Sequence, residues 1–103
     1  MEFEKLIKER YSCRKFKDKA VEQEKIDKIL EAGLVAPTAC NLQPQRILVL
    51  TDKDKIKALD EEKCTRYTFD APLIFVMCVD RAKAWTRKYD NLSSAEVDSS
   101  IVL

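Results

Sequence analysis

Between Ala36 and Leu50 the chain reads APTACNLQPQRILVL. Two prolines, Pro37 and Pro44, bracket small residues, a cysteine and neutral hydrogen-bonding side chains. The text then turns without transition into the apolar run Ile47 to Leu50. An ordinary connector draws on glycine, aspartate or serine for its turns. This one has none of them, and Thr38, Asn41 and Gln43 supply polarity without charge. The run that follows predicts a short strand, and Pro37 predicts the end of whatever helix precedes it.

Upstream lies such a helix. Ile26, Ile29, Leu30, Gly33 and Leu34 recur at helical spacing, with Glu22 and Glu24 at the start, where negative charge suits the helix dipole. Gly33 falls where the apolar stripe calls for a bulky side chain, which reads as close packing or helix termination. Phe3, Leu6 and Ile7 predict a first helix over roughly Glu2 to Glu9. Downstream, Thr51 or Asp52 is placed to cap a short helix carrying Ile56 and Leu59. APLIFVMCVD follows, and its unalternating run Leu73 to Val79 reads as a strand buried on both faces. Such a strand needs helices on both sides, so the class is mixed α and β. The crossover alone points to a parallel pair. Arg81 to Ser94 reads as a surface loop anchored by Trp85 and Tyr89. Asp98 reads as a helix start, and Ile101, Val102 and Leu103 as its first apolar turn, where the sequence stops in mid-pattern.

Composition narrows the chemistry. At 103 residues there is room for one domain at most. Nineteen basic against 18 acidic residues give a net charge of +1, which argues against a nucleic-acid binder relying on a strong field. The absence of histidine excludes a Ser-His-Asp triad, a Cys-His pair and a His-ligated metal site. With Gly33 the only glycine, neither a phosphate-binding glycine loop nor a dinucleotide fingerprint is possible. Cys13, Cys40, Cys64 and Cys78 show no C-x-x-C spacing and read as buried or half-buried free thiols in a reducing compartment. The charged N-terminus has no signal-peptide core, and the longest apolar run is too short to span a membrane. A cytoplasmic protein is expected.

A basic knot, ERYSCRKFK, closes the first predicted helix. Arg10, Ser12 and Arg14 offer forked donors and a hydroxyl suited to phosphate oxygens. Alone, the knot reads rather as a solvated helix end. Cys13, flanked by cations, reads as a packing residue. Paired with the later element, the knot says more. Arg10-Tyr11-Ser12-x-Arg14-Lys15-Phe16, then an amphipathic helix, then Ala36-Pro37-Thr38-Ala39-x-Asn41-x-Gln43-Pro44 entering a strand, resembles the N-terminal part of the FMN-dependent nitroreductase family. DAPLIFVMCVD resembles that family's second core strand.

The resemblance implies an α+β fold with a mixed, mostly antiparallel sheet flanked by helices, which displaces the parallel default. It implies that residues 1–103 are the N-terminal part of such a domain, truncated relative to the family. It implies an oxidoreductase that passes hydride from NAD(P)H through FMN to a nitroaromatic, quinone or similar small-molecule acceptor. Arg10, Tyr11, Ser12 and Arg14 would hold the phosphate, the ribityl chain and the polar edge of the ring. Pro37, Thr38, Ala39 and Asn41 would meet the ring from the other subunit of a homodimer, with Gln43 and Pro44 bracing the loop. No catalytic acid or base is implied, because the cofactor carries the chemistry. The family's glycine-containing segment along the flavin and its later phosphate cation have no counterpart here, and where some members place Asn and Lys before the second strand this chain offers Cys64, Arg66 and Tyr67, to which no role is assigned. A second reading is therefore kept: a non-catalytic remnant of the fold that dimerises or binds a partner.

Overall fold

The computed structural model describes residues 2–103. Its elements run α1 (Phe3–Glu9), α2 (Gln23–Val35), a single 3-10 turn (Ala39–Asn41), β1 (Gln45–Leu50), α3 (Lys53–Glu61), β2 (Ile74–Val79) and α4 (Ala95–Val102). The two strands pair antiparallel, Gln45 opposite Val79 and Leu50 opposite Ile74, which overturns the parallel default. The backbone N–H of Asp80 donates to the Pro44 carbonyl at 2.8 Å and extends the ladder past β1.

Packing gathers on one face of this ribbon. Ile47 and Met77 are cross-strand partners, and with Phe75 they line a cleft of about 100 Å³ against Leu30 of α2 and Val102 of α4. Gly33 explains how closely α2 comes down. A Cβ built there would lie 2.8 Å from Ile47 Cδ1 and 3.6 Å from Val102 Cγ1. The glycine serves close packing, and α2 continues two residues beyond it to Val35. The buried amide of Gln45 donates to the Gly33 carbonyl at 3.4 Å, tying the end of α2 to the start of β1. Asp52 is the N-cap of α3, its carboxylate accepting the Asp54 N–H at 2.8 Å.

Three expectations are corrected. Every residue of β2 is only half-buried, so this strand is not covered on both faces within the chain. Its unbroken apolar run reports a partly covered ribbon. Asp98 does not start α4: the helix begins at Ala95 after Ser94, and Asp98 is buried inside its first turns. The loop after β2 is held by the small buried residues Ala84 and Ala95 and by a bridge between Thr86 and Ser93, whereas Tyr89 is 80% exposed and Trp85 is 37% exposed. Small side chains fit beneath a tight loop that a phenol ring would prop open.

The cysteines also differ from expectation. All four are unbridged, but Cys13, Cys40 and Cys64 are exposed and only Cys78 is half-buried. Cys13 is exposed and not the packing residue expected, and its thiol donates to the Lys15 carbonyl. The radius of gyration, 16.2 Å, exceeds the roughly 13 Å of a compact chain this long. Every residue from Glu2 to Ala20 is exposed, so the N-terminal segment runs outside the packed part.

Candidate functional site

The first candidate element is a length of extended chain leaving α1. Arg10 caps the helix with its N–H on the Leu6 carbonyl, and the backbone then opens out. Arg10, Tyr11, Ser12 and Arg14 are all exposed. Among the described residues neither Arg10 nor Arg14 forms an ion pair, and the Arg14 guanidinium donates only to the Ser12 carbonyl, at 3.4 Å. Two forked cations and a hydroxyl at alternate positions are therefore free to receive an anion, which fits a phosphomonoester.

The second element is built differently. Cys40, Asn41 and Gln43 all hold positive φ, at 52°, 51° and 49°. Left-handed backbone at non-glycine residues costs roughly 1–3 kcal/mol each and needs support from its surroundings. Thr38 Oγ1 accepts the Gln43 N–H at 3.0 Å, and the Thr38 and Ala39 carbonyls accept from Asn41 and Leu42. Pro44 is fully buried behind the turn. This is how the stretch turns without glycine: asparagine tolerates the conformation, and a threonine hydroxyl with a buried proline holds the rest. Gln43 and Pro44 act as braces through their backbone and ring. What the turn presents outward is small and neutral. Ala39 and Thr38 are half-buried, while Pro37 and Asn41 are exposed.

The donor set thus suits a ligand with an anionic end and a planar, neutral, polar-edged end, and FMN has that form. Within one chain the two elements are not joined. No hydrogen bond or ion pair links residues 10–14 to residues 37–41 among the described residues.

Sequence reading missed Asp98. Its carboxylate accepts the Ala39 N–H at 3.0 Å and the Ser94 hydroxyl at 2.7 Å, although Ala39 and Asp98 are 59 residues apart. A hydroxyl and a carboxylate one helical turn apart at a helix start, Ser94 and Asp98, were the local signal. Nothing local pointed to Ala39. Elsewhere, a cavity of about 390 Å³ lies beside Phe16, Lys53, Ile56 and Thr68. Its Asp18–Lys53 pair spans 2.8 Å. Hydrogen bonding to Lys53, and then its charge, holds the Asp18 carboxyl below the usual range, and Asp18 raises Lys53 in the same way. Of the basic knot and the Ala36–Pro44 element only Phe16 reaches this cavity, while Asp70, Ala71 and Pro72 line it from the entry to β2. No helix among the described residues is long and apolar enough to cross a membrane.

Comparison with known proteins accounts for the motif pair. The sequence model of the nitroreductase family matches residues 7–97. An NADPH-dependent oxidoreductase of Staphylococcus haemolyticus is 37% identical over 75 residues, which cover 73% of this chain and 30% of that protein. A nitroreductase family protein of Clostridium difficile superposes with a TM-score of 0.90 at 42% identity, over 99% of this chain and 58% of that one. An FMN-dependent nitroreductase from another strain of that organism gives a TM-score of 0.76 at 35% identity, over 94% of this chain and 53% of its own. This chain therefore spans about a third of the first relative's length and little more than half of the solved structures it resembles. With the fold, the two motifs and the family match in agreement, the chain belongs to the nitroreductase family.

Proposed function

We propose that residues 1–103 are the N-terminal part of an FMN-dependent NAD(P)H oxidoreductase that works as a homodimer with a small-molecule acceptor. The observation that carries this is the pair of exposed guanidiniums, Arg10 and Arg14, flanking Ser12 with no carboxylate of the described residues neutralising them. The names of the relatives, an NADPH-dependent oxidoreductase and an FMN-dependent nitroreductase, support it.

On this reading Arg10 and Ser12 bind the phosphate and ribityl end, with Tyr11 beside them. Arg14 brings positive charge to the polar edge of the ring, where electron uptake places negative charge. Pro37, Thr38, Ala39 and Asn41 of the second subunit close the ring face with neutral groups and small side chains, which permits close approach. When bound, FMN supplies the two-electron chemistry, taking hydride from NAD(P)H and reducing a nitroaromatic, quinone or similar acceptor. The chain's own part is to bind, orient and charge-balance that group.

Titration with FMN tests this. Arg10→Ala should weaken binding by roughly 1.5–3 kcal/mol, the worth of a charge-assisted hydrogen bond. An unchanged dissociation constant would remove Arg10 from the site. The bare apolar face of α1, where Phe3 is 74% exposed, serves equally a second reading, a dimerisation or partner-binding module without flavin. Absence of flavin absorbance in protein supplied with excess FMN would select it.

A further inference from the structure

We propose that Asp98 is a positioning residue for the Thr38–Asn41 turn, setting from the start of α4 the geometry that the turn offers to the cofactor. The effect on cofactor binding rests on the function proposed above; the effect on the turn stands alone.

Asp98 is 2% exposed, among the most buried side chains described. Burying a carboxylate is costly unless its oxygens are paired. Here both are, and both partners are neutral: the Ala39 N–H on Oδ1 and the Ser94 hydroxyl on Oδ2. No cation pairs with it among the described residues. Ion pairing therefore does not account for the group, and one of its two bonds goes to the turn.

That bond differs in kind from the turn's others. Thr38 to Gln43, Thr38 to Asn41 and Ala39 to Leu42 are closures within the loop itself. They fix its shape but not where it sits. Among the described residues, the Ala39 bond is the one hydrogen bond tying residues 38–43 to a distant element. It acts immediately before Cys40, where φ becomes positive. Asp98 thus sets the position of a strained turn whose two flanking residues, Thr38 and Asn41, carry the candidate hydrogen-bonding groups. The Ser94 hydroxyl aims the carboxylate, and the N–H of Asp98 returns to the Ser94 carbonyl at 2.8 Å, so the aim is fixed to the helix start.

Positioning and charge make opposite predictions for two substitutions. Asp98→Asn removes the charge but keeps an acceptor for Ala39, and its amide can donate to the Ser94 oxygen. Asp98→Glu keeps the charge but carries the carboxylate one methylene away from the position that meets the Ala39 N–H and the Ser94 hydroxyl. The experiment measures two quantities in the whole protein and in Asp98→Asn, Asp98→Glu and Asp98→Ala variants. One is amide hydrogen exchange at Ala39 without flavin, referenced to β1 amides. The other is the FMN dissociation constant by titration. Asp98→Ala and Asp98→Glu should each speed Ala39 exchange and weaken FMN about tenfold, the scale of one lost buried hydrogen bond. Asp98→Asn should restore both to within about threefold of the parent. Thr68→Ala, which removes a buried hydroxyl bonded to Asp60 beside a different cavity, should leave both unchanged relative to the parent. Should the alanine variant not fold, the contrast between asparagine and glutamate still decides. An asparagine variant that binds FMN no better than the glutamate variant overturns the proposal, as does unaltered Ala39 exchange in every Asp98 variant. If the parent protein takes up no FMN, the functional reading fails while the exchange measurement still tests the link between Asp98 and the turn.

Discussion

The two motif elements stand in opposite mechanical situations. The Thr38–Asn41 turn is held by a threonine hydroxyl, a buried proline and a buried carboxylate from α4. The Arg10–Arg14 segment lies in a run of residues, Glu2 to Ala20, every one of which is exposed. One element is pre-organised by its own chain and the other is not. Binding costs less when the partner groups are already fixed. The turn is therefore built to give a surface, and the basic segment to be ordered by what it meets. The apolar stripe of α1 says what kind of surface that is. Phe3, Leu6 and Ile7 are 74%, 50% and 57% exposed, and such a stripe is stable only when covered.

The strongest way to break this contrast is to remove the stripe. If α1 packs on a second copy, Leu6→Ser with Ile7→Ser should dissociate the dimer. Full burial of each side chain is worth roughly 1.5–3 kcal/mol, only about half of each is still exposed and available for burial, and two-fold symmetry counts each twice. The dimer dissociation constant should rise by roughly 100-fold or more. FMN occupancy should fall on dilution together with the dimer, while thermal stability of the monomer stays as it was. Light scattering beside flavin absorbance reads both. An unchanged mass for the double variant would show that α1 is covered by something else.

The packed half responds in the reverse sense. Gly33→Leu forces a side chain into the space held by Ile47 and Val102 and should cost roughly 1–3 kcal/mol in urea unfolding. Gly33→Ala should be close to neutral. Its Cβ crowds the tip of Ile47, a flexible end, and makes ordinary contact with Val102, and alanine recovers roughly 1 kcal/mol of helix propensity. A leucine variant as stable as the parent would mean that α2 lies farther from the sheet than the structure has it.

What the sequence made legible follows the same division. Local chemistry could be read: the stripe and proline stop of α2, the Asp52 cap, the apolar runs of β1 and β2, and the motif pair. Relations over distance could not. Neither strand alternates in hydrophobicity, so neither its partner's direction nor its covered face is written in it, and the antiparallel sheet was reached only through the family resemblance. Asp98 looked like a helix start because Ser94 and Asp98 both favour that setting, and only the folded chain shows Ala39 against it. The turn's positive φ values fall on Cys40, Asn41 and Gln43, where no glycine marks them.

The smallest effect expected concerns the one bond that ties the loose half to the packed half. Among the described residues, Asp18 to Lys53 is the only hydrogen bond or ion pair from residues 2–20 to anything beyond Glu22. Hydrogen bonding between the two lowers the Asp18 pKa and raises that of Lys53. The lowered carboxyl contributes stability above its unfolded value, near pH 4, and loses it as pH falls through the folded value below that. The raised amine contributes below its unfolded value, near pH 10, and loses it as pH rises through the folded value above that. Across the neutral range the contribution is flat. Both groups are exposed, so water and salt screen the pair and its effect on global stability is small. Asp18→Asn should leave the urea midpoint at pH 7 within the scatter of replicate titrations, and any difference from the parent should shrink as the pH falls below about 4. Its effect should instead appear as faster exchange of the amides flanking position 18, confined to that segment and weaker in high salt. A midpoint shift at pH 7 that survives high salt would mean that residues 2–20 are bound to the packed half by more than this pair, and the contrast between the two elements would have to be redrawn.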